Sequence, residues 1–381
     1  MNNPDRRRLL LAAGALASDL ASSRAVAFSA EHGPHDDGHG PIPDILAATG
    51  APALTGGVVT KDGLIHAHSG GVRRLGATDK VAAGDLWHLG SNGKAMTAAL
   101  YGRLVDQGRA KWGATVPELF RDLTLDPAWK DTTVEQLMGH RAGIEERAII
   151  AGGWLMKAHR DARPVPTQRT EVAAQLFGKP PAGKPGDFAY ANFNYVVVGA
   201  AIERITGQSW EDAIQAELFK PLGVTTAGFG APTGANPWGH RPATSGAQTL
   251  PIALTPVDPA GIADNPAAMG PAGRIHMSLS DYAKFVRLFL TNGDGVLRPE
   301  TVQKLMTPVA GEGRAYALGW GVRGEGAGVV LAHEGSNTMW HAIAALSPAT
   351  GMALIGVSNA PPPAQAASRF LKHMQDEFLG T

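Results

Sequence analysis

The chain has 381 residues, of which 44% are hydrophobic and 18% charged, a composition typical of one large globular domain or two interlocked ones. Lysine plus arginine equals aspartate plus glutamate at 34 each, so the sequence lacks the basic field with which proteins bind nucleic acid or a membrane surface. It contains no cysteine, which excludes a thiol nucleophile, disulfide bonds, thiolate zinc sites and a lipid-modified N-terminal cysteine.

The first 27 residues have the pattern of an export signal. Three arginines, Arg6 to Arg8, precede the apolar stretch Leu9 to Ala17, and the small-x-small sequence Ala25-Val26-Ala27 follows. The apolar stretch is too short to cross a bilayer, so we expect a signal peptide and no stable membrane anchor. Adjacent arginines resemble a twin-arginine signal, which predicts a periplasmic or secreted protein. An untargeted N-terminal helix is the alternative.

Residues 28–42 are polar, contain glycine and proline and lack periodicity, which predicts a linker. Three histidines and two aspartates in this segment are possible metal ligands. A flexible segment seldom holds a metal specifically, so we expect a tether and no metal site.

The next stretch predicts a β-hairpin, because Gly57 to Thr60 and Leu64 to Ala67 flank the turn signal Asp62-Gly63. From Ser91 to about Leu290 the apolar spacing is helical. Gly- and Pro-rich connections interrupt this region at 179–187 and 228–263. The second connection is long for a loop without structure, and such loops often border active sites.

Strand-like runs return near the end of the chain, at Ala317–Val322, Gly328–Ala332, Trp340–Leu346 and Met352–Val357. A closing helix then places Phe370, Met374 and Phe378 on one stripe. Strands at both ends and helices in the middle predict an α+β fold, an α/β sandwich. We expect a mostly antiparallel sheet built from both chain ends and flanked by helices, with an inserted helical domain.

This pattern predicts one catalytic domain at 43–381. Its sheet lobe covers about 43–90 and 300–381, and its helical lobe about 91–299. A cleft between the two lobes is the natural place for a catalytic site.

Ser91 and Lys94 are the first candidates for chemistry. A serine and a lysine three residues apart share one face of a helix, so their polar groups can meet. A desolvated lysine with a lowered pKa can take the serine proton, and N–H groups at a helix start can stabilise an oxyanion. Taken alone, the pair arises often by chance, and a solvated surface lysine is the simpler interpretation.

Two further motifs strengthen the case. In Tyr190-Ala191-Asn192, a tyrosine beside the lysine would have its phenolate favoured and could shuttle protons, while the amide could bind substrate or lysine. In His333-Glu334-Gly335-Ser336, Gly335 lets the backbone approach the substrate, and the Ser336 N–H could be an oxyanion donor. Each motif alone is more often structural.

In order and spacing, the three motifs resemble the serine β-lactamase and penicillin-binding protein superfamily. The branch is that of class C β-lactamases, D-alanyl-D-alanine carboxypeptidases and related esterases. The resemblance runs from about residue 40 to 375 and includes Leu137–Ile144, Leu218–Gly223 and Leu318–Gly321. It implies an enzyme without metal or cofactor, acting on a small-molecule ester, amide or β-lactam. It leaves the oligomeric state open.

The resemblance also implies a role for each candidate. Ser91 is the acylated nucleophile, Lys94 helps to deprotonate it, and Tyr190 relays protons to the leaving group and later activates water. Asn192 orients the substrate. The N–H groups of Ser91 and Ser336 form the oxyanion hole.

One motif departs from the β-lactamase pattern. Where β-lactamases usually carry Lys-Thr-Gly or Lys-Ser-Gly to bind the carboxylate of the drug, this chain has His333-Glu334-Gly335. A mostly neutral histidine is a weaker anion partner, and Glu334 would repel a carboxylate if it faced the pocket. We therefore expect an esterase or peptidase more than an efficient β-lactamase. The alternative is a catalytically weak penicillin-binding or sensing protein of the same fold.

Overall fold

The computed structural model describes residues 40–244, 249–324 and 328–379. The predicted signal peptide at 1–27 and the linker up to residue 39 lie outside the described residues. Residue 42, the last of the predicted linker, is the first residue of a helix. Every helix that the structure describes is too short or too polar to span a bilayer.

The α-helices are α1 (Ile42–Thr49), α2 (Gly93–Asp106), α3 (Val116–Leu119), α4 (Val134–Met138), α5 (Arg147–Ala151), α6 (Trp154–His159), α7 (Val165–Phe177), α8 (Asn192–Thr206), α9 (Trp210–Ile214), α10 (Gly270–Gly273), α11 (Leu279–Leu290), α12 (Pro299–Met306) and α13 (Ala366–Leu379). The strands are β1 (Ala53–Thr60), β2 (Gly63–Gly71), β3 (Leu86–His88), β4 (Gly228–Phe229), β5 (His240–Pro242), β6 (Leu254–Pro256), β7 (Ile275–Ser278), β8 (Gly321–Arg323), β9 (Val330–Ser336), β10 (His341–Ser347) and β11 (Met352–Ser358). A 3₁₀ turn, Gly90–Asn92, leads directly into α2.

The main sheet confirms the predicted α+β architecture. Its strands lie in the order β2-β1-β11-β10-β9-β8, and every neighbouring pair is antiparallel. β1 from the start of the chain pairs with β11 from its end, with Leu54 opposite Ser358. The predicted hairpin is β1 and β2. The sheet is therefore built from both chain ends.

One predicted strand was too long. The run Ala317–Val322 is extended only from Gly321 onward, as β8. Before it, the Ala317 N–H donates to the Trp320 carbonyl at 2.8 Å and closes a tight turn. Gly319 in this turn has a φ of +93°, and a Cβ there would lie 2.4 Å from the Ala95 Cα. The turn thus packs on α2, and tertiary contact overrides the strand-like composition.

Helices cover both faces of the main sheet. Leu54 and Val58 of β1 pack with Phe370 of α13 in one apolar cluster, whereas Val59, on the opposite face, packs in the larger one. α11 packs against β1, β2 and β11, although the predicted division assigned it to the helical lobe. The division into lobes itself stays a prediction.

The helix α2 lies inside the molecule, with every residue from Gly93 to Tyr101 buried. It packs against α8, α10 and α12. A helix that is buried on all sides carries apolar or small residues all round, and Lys94 is the charged exception in the buried stretch of α2. The aromatic side chains of Trp320, Trp340 and Phe193 are all fully buried in the core.

Candidate active site

The turn that carries Ser91 lies against the end of β9. Gly90 has a φ of +52°, and a Cβ on it would come within 2.3 Å of the Ser336 nitrogen. A Cβ on Gly335 would come within 2.7 Å of the Ser91 nitrogen and 2.1 Å of the Leu89 oxygen. The two glycines therefore allow the backbone nitrogens of Ser91 and Ser336 to lie close together. Two neighbouring backbone N–H donors are a requirement of an oxyanion hole.

Lys94 is completely buried, and its amine meets three oxygen atoms. The distances from its Nζ are 3.0 Å to the Ser91 Oγ, 2.8 Å to the Asn192 Oδ1 and 2.6 Å to the Ala272 carbonyl oxygen. Burial lowers the pKa of Lys94 to about 7, while the charge of Glu146 acts in the opposite direction. Near neutral pH, much of the lysine is therefore an uncharged amine.

The partners of the amine decide where its lone pair points. The amide oxygen of Asn192 and the carbonyl of Ala272 only accept hydrogen bonds, so they take the two N–H donors of a neutral amine. The lone pair is then left facing the Ser91 hydroxyl, which has a proton to donate. This geometry suits a base that deprotonates Ser91.

Tyr190 lies on the other side of the serine. Its hydroxyl is hydrogen-bonded with Ser91, and its ring centroid lies 4.9 Å from the Lys94 Nζ. As a residue it is 42% exposed, although the surrounding protein desolvates its hydroxyl group. That desolvation raises the pKa of Tyr190, which the hydrogen bond with Ser91 offsets only in part. The expectation of a favoured phenolate was thus wrong, because burial prevails, and Tyr190 is a neutral phenol at rest.

The buried His140 holds the Tyr190 loop in place. It has a φ of +59°, which is uncommon for a residue other than glycine. Its Nδ1 accepts from the Ala191 N–H at 3.3 Å and lies 3.1 Å from the Asn194 amide. Its own carbonyl accepts from the Ala189 N–H at 2.9 Å. The segment Leu137–Ile144, noted in the sequence only as part of a resemblance, therefore anchors the loop physically.

Asn192 begins α8 and connects Lys94 to a residue that the sequence analysis did not select. Its Nδ2 donates to the Glu146 Oε1 at 2.9 Å, and the next backbone N–H, of Phe193, donates to the Oε2 at 2.9 Å. Burial raises the pKa of Glu146 above its usual value, and these hydrogen bonds and the charge of Lys94 offset that rise only in part. Glu146 thus belongs to the site.

His333 and Glu334 lie on opposite faces of β9, since side chains alternate along a strand. His333 is buried with its Nε2 2.9 Å from the Tyr316 hydroxyl. Burial, assisted by the charges of Lys94 and Arg314, lowers its pKa to about 3, so it is neutral. Glu334 faces away from Ser91 and lies 2.5 Å from the His341 ring nitrogen.

A buried histidine–aspartate hydrogen bond supports the serine turn from behind. The Nε2 of His88 lies 2.9 Å from the Asp264 Oδ2, and its Nδ1 accepts from the Gly90 N–H at 3.1 Å. Asn337, just beyond β9, donates to the other oxygen of Asp264 at 3.0 Å. His88 and Asp264 were not predicted, because 176 residues separate them in the sequence.

The structure thus brings together Ser91, Lys94, Tyr190, Asn192, His333, Gly335 and Ser336. The Ser336 hydroxyl donates to the Trp340 carbonyl at 2.6 Å, so its backbone N–H and not its side chain is offered to the site. The antiparallel sheet, its flanking helices and this site define the β-lactamase/transpeptidase-like class of proteins. The chain belongs to the Beta-lactamase family, whose model matches residues 42–375.

Curated relatives include hydrolases and penicillin-binding proteins. Penicillin-binding protein 4 of Amycolatopsis lactamdurans is 26% identical over 280 residues, covering 68% of this chain and 67% of that protein. Unguisins hydrolase ungD' of Aspergillus campestris (strain IBT 28561) is 25% identical over 294 residues, covering 72% of this chain. The chain spans about half the length of that hydrolase, 52%.

Solved structures share the fold. The octameric penicillin-binding protein homologue from Pyrococcus abyssi has a TM-score of 0.69 at 23% identity, covering 89% of this chain and 77% of that one. A D-stereospecific amidohydrolase from Streptomyces has a TM-score of 0.68 at 21% identity, covering 89% of this chain and 97% of that one.

Proposed function

We propose that this protein is a serine hydrolase that forms an acyl-enzyme at Ser91 and hydrolyses a carboxylic ester or amide. The observation that carries the proposal is the buried Lys94 amine, 3.0 Å from the Ser91 Oγ with its two other partners both hydrogen-bond acceptors. A solvated surface lysine would have no such set of partners. Membership of a family with hydrolase relatives supports the same conclusion.

In the proposed acylation, Lys94 takes the proton of Ser91 as the Oγ attacks the substrate carbonyl carbon and forms a C–O bond. The N–H groups of Ser91 and Ser336 stabilise the negative charge on the carbonyl oxygen. The bond to the leaving alkoxide or amine then breaks. That group receives a proton from the Tyr190 hydroxyl, which regains one from Lys94.

In the proposed deacylation, water attacks the carbonyl carbon of the Ser91 ester and gives up a proton through Tyr190 and Lys94. The bond to Oγ breaks, the serine recovers its proton, and a carboxylic acid leaves. The sum is ester or amide plus water giving acid plus alcohol or amine. No group besides protein and water is needed.

The third motif favours substrates without an essential carboxylate. His333 carries no charge near neutral pH, because burial and its cationic neighbours lower its pKa to about 3. Glu334 faces away from Ser91, so its charge does not bear directly on this choice. We therefore propose activity on esters or amides above efficient β-lactam hydrolysis. A sensing protein that acylates but does not turn over is the second candidate, favoured by the penicillin-binding relative.

We also propose that residues 1–27 direct export, by the arrangement of arginines, apolar stretch and small-x-small site described above. N-terminal sequencing of exported protein should then start at Phe28. Retention of the segment would contradict this.

Intact-mass analysis after incubation with a fluorophosphonate, a p-nitrophenyl ester, nitrocefin and a D-Ala-D-Ala peptide tests the proposed function. We expect a single adduct on the wild type and none on Ser91→Ala, with the exposed Ser280→Ala as matched control retaining it. Full activity of Ser91→Ala would end the proposal. Nitrocefin turned over faster than the ester would reverse the substrate preference, and an adduct that persists for hours would favour the sensing protein.

A further inference from the structure

We propose that Glu146 is a positioning residue of this site: it fixes the Asn192 amide with its oxygen toward Lys94 and keeps a negative charge beside the lysine amine. The inference rests on the proposed acyl-enzyme function and adds a residue to it.

The geometry gives the carboxylate two tasks at the start of α8. One oxygen accepts from the Asn192 Nδ2 and the other from the Phe193 N–H, both at 2.9 Å. An acidic group at this end of a 15-residue helix is favoured by the unpaired N–H groups there. A carboxylate can only accept, so it forces the NH₂ of Asn192 toward itself and the amide oxygen toward Lys94.

The orientation of the amide matters for the lysine. If the amide were reversed, its NH₂ would face the N–H groups of Lys94, which would place donor against donor. The 2.8 Å contact between the Lys94 Nζ and the Asn192 Oδ1 would then be lost. The lone pair of the amine would no longer be directed at Ser91, so acylation would slow.

The charge of Glu146 also acts on Lys94 directly. Besides Ser91, the Asn192 amide and the Ala272 carbonyl face the amine. The ring centroids of Tyr190 and Tyr195 lie 4.9 and 5.7 Å from the Lys94 Nζ. The imidazoles of His140 and His333 are also close enough to interact with its charge. Burial raises the pKa of both tyrosines and lowers that of both histidines, so these four groups are neutral. Among the described residues, Glu146 is the acidic group whose charge is felt by the amine.

The sign of the effect follows. A neighbouring negative charge favours the protonated lysine, so Glu146 raises the pKa of Lys94 against the larger lowering by burial. Removal of the charge should lower this pKa further, below about 7. The acidic limb of the pH profile, which reports loss of the free base, would then move to lower pH.

The test compares Glu146→Gln with Glu146→Asp and with Glu145→Gln, the exposed neighbour, which removes the same formal charge. The measurement is kcat/KM for a p-nitrophenyl ester from pH 5 to 9, with intact-mass acylation rates at three pH values. For Glu146→Gln we expect an acidic limb roughly 0.5–1 pH unit lower. Its plateau should be about tenfold lower, because a glutamine places its NH₂ against one of two N–H donors.

Glu146→Asp keeps the negative charge, so the acidic limb of its pH profile should stay near that of the wild type. The plateau of its kcat/KM should fall. Glu145→Gln should match the wild type in both. The inference would be overturned if the acidic limb of the pH profile of Glu146→Gln stayed at the wild-type pH. It would also be overturned if the acidic limb of Glu146→Asp moved as far as that of Glu146→Gln. A wild type that acylates with none of the probes would instead overturn the proposed function.

Discussion

At the scale of single residues, Lys94 combines two demands that oppose each other. As the proposed base it must lose its proton near neutral pH, and burial favours this by lowering its pKa to about 7. The same burial makes the folded state hold a proton less tightly than the unfolded chain does, whose lysine titrates near 10.5. Stability is therefore lost as the pH falls from about 10.5 to about 7, and no further below that.

Replacement of Lys94 by methionine should expose this cost. Relative to the wild type, Lys94→Met should gain stability by about 3 kcal/mol between pH 9.5 and pH 7, because methionine does not titrate. It should also lose acylation at Ser91. Denaturant unfolding at several pH values, followed by tryptophan fluorescence, measures the difference. The change of this difference with pH reports the titration of Lys94. The hydrogen bonds lost with the lysine contribute at every pH and do not affect that change.

The control is Lys372→Met, which removes a lysine whose side chain is 68% exposed and should leave acylation at Ser91 unchanged. A constant difference for Lys94→Met across the same range would mean that the folded and unfolded states bind this proton equally. The proposed free base would then not exist at neutral pH.

Short motifs predicted Ser91, Lys94, Tyr190 and Asn192 as candidates, because the two residues of each motif are at most three positions apart in the sequence. Glu146 could not be found in this way. It stands next to Glu145, and nothing local distinguishes the two carboxylates. Only the fold places Glu146 against the start of α8 and leaves Glu145 exposed.

At the scale of elements, the close approach of β9 to the serine turn is the feature on which the proposed oxyanion hole depends. Gly335→Ala should disrupt it, because the added Cβ would lie 2.1 Å from the Leu89 oxygen and 2.7 Å from the Ser91 nitrogen. These neighbours are backbone atoms and cannot turn away. We expect acylation to fall by about 10²-fold or more, the loss typical of an oxyanion donor.

Gly84→Ala serves as the matched control, since a Cβ at that position meets nothing within 4 Å. Ester turnover and thermal unfolding of both variants provide the comparison, and the control should behave as the wild type. If Gly335→Ala acylated at the wild-type rate, the two N–H groups would not be the oxyanion donors.

The elements also mark where local patterns stop predicting structure. Alternation and turn residues located the β1–β2 hairpin and β9 to β11, whose side-chain faces are set by the sheet. They overextended β8, because the turn at Gly319 is dictated by Ala95 of α2, far away in the chain. They also gave no sign of the His88–Asp264 pair, which exists only after two distant loops have met.

At the scale of the whole molecule, the site depends on the pairing of the two chain ends. Ser91 follows β3 in the first quarter of the chain, whereas His333 to Ser336 lie in β9 near its end. β9 is held through β10 and β11 to β1, and α13 covers β1, β10 and β11 on one face. The end of β9 lies against the turn that carries Ser91 only when β9 is held in this sheet, so we expect stability and assembly of the proposed site to be coupled.

Phe370 of α13 tests this coupling at a distance from the chemistry. Its ring is fully buried and lies where a Cβ on Gly56 would come within 2.2 Å, so the glycine makes room for it. Phe370→Ala should lower the free energy of unfolding by about 3–5 kcal/mol, the usual cost of such a cavity. Phe378 lies on the same helix and is only partly buried, so Phe378→Ala should lower the free energy of unfolding by less. In both variants, ester turnover without denaturant should equal that of the wild type, and the loss of turnover in denaturant should coincide with the loss of fluorescence. Ester turnover that persisted beyond the fluorescence transition would show that the site does not need the main sheet, because the site and the sheet would then unfold independently.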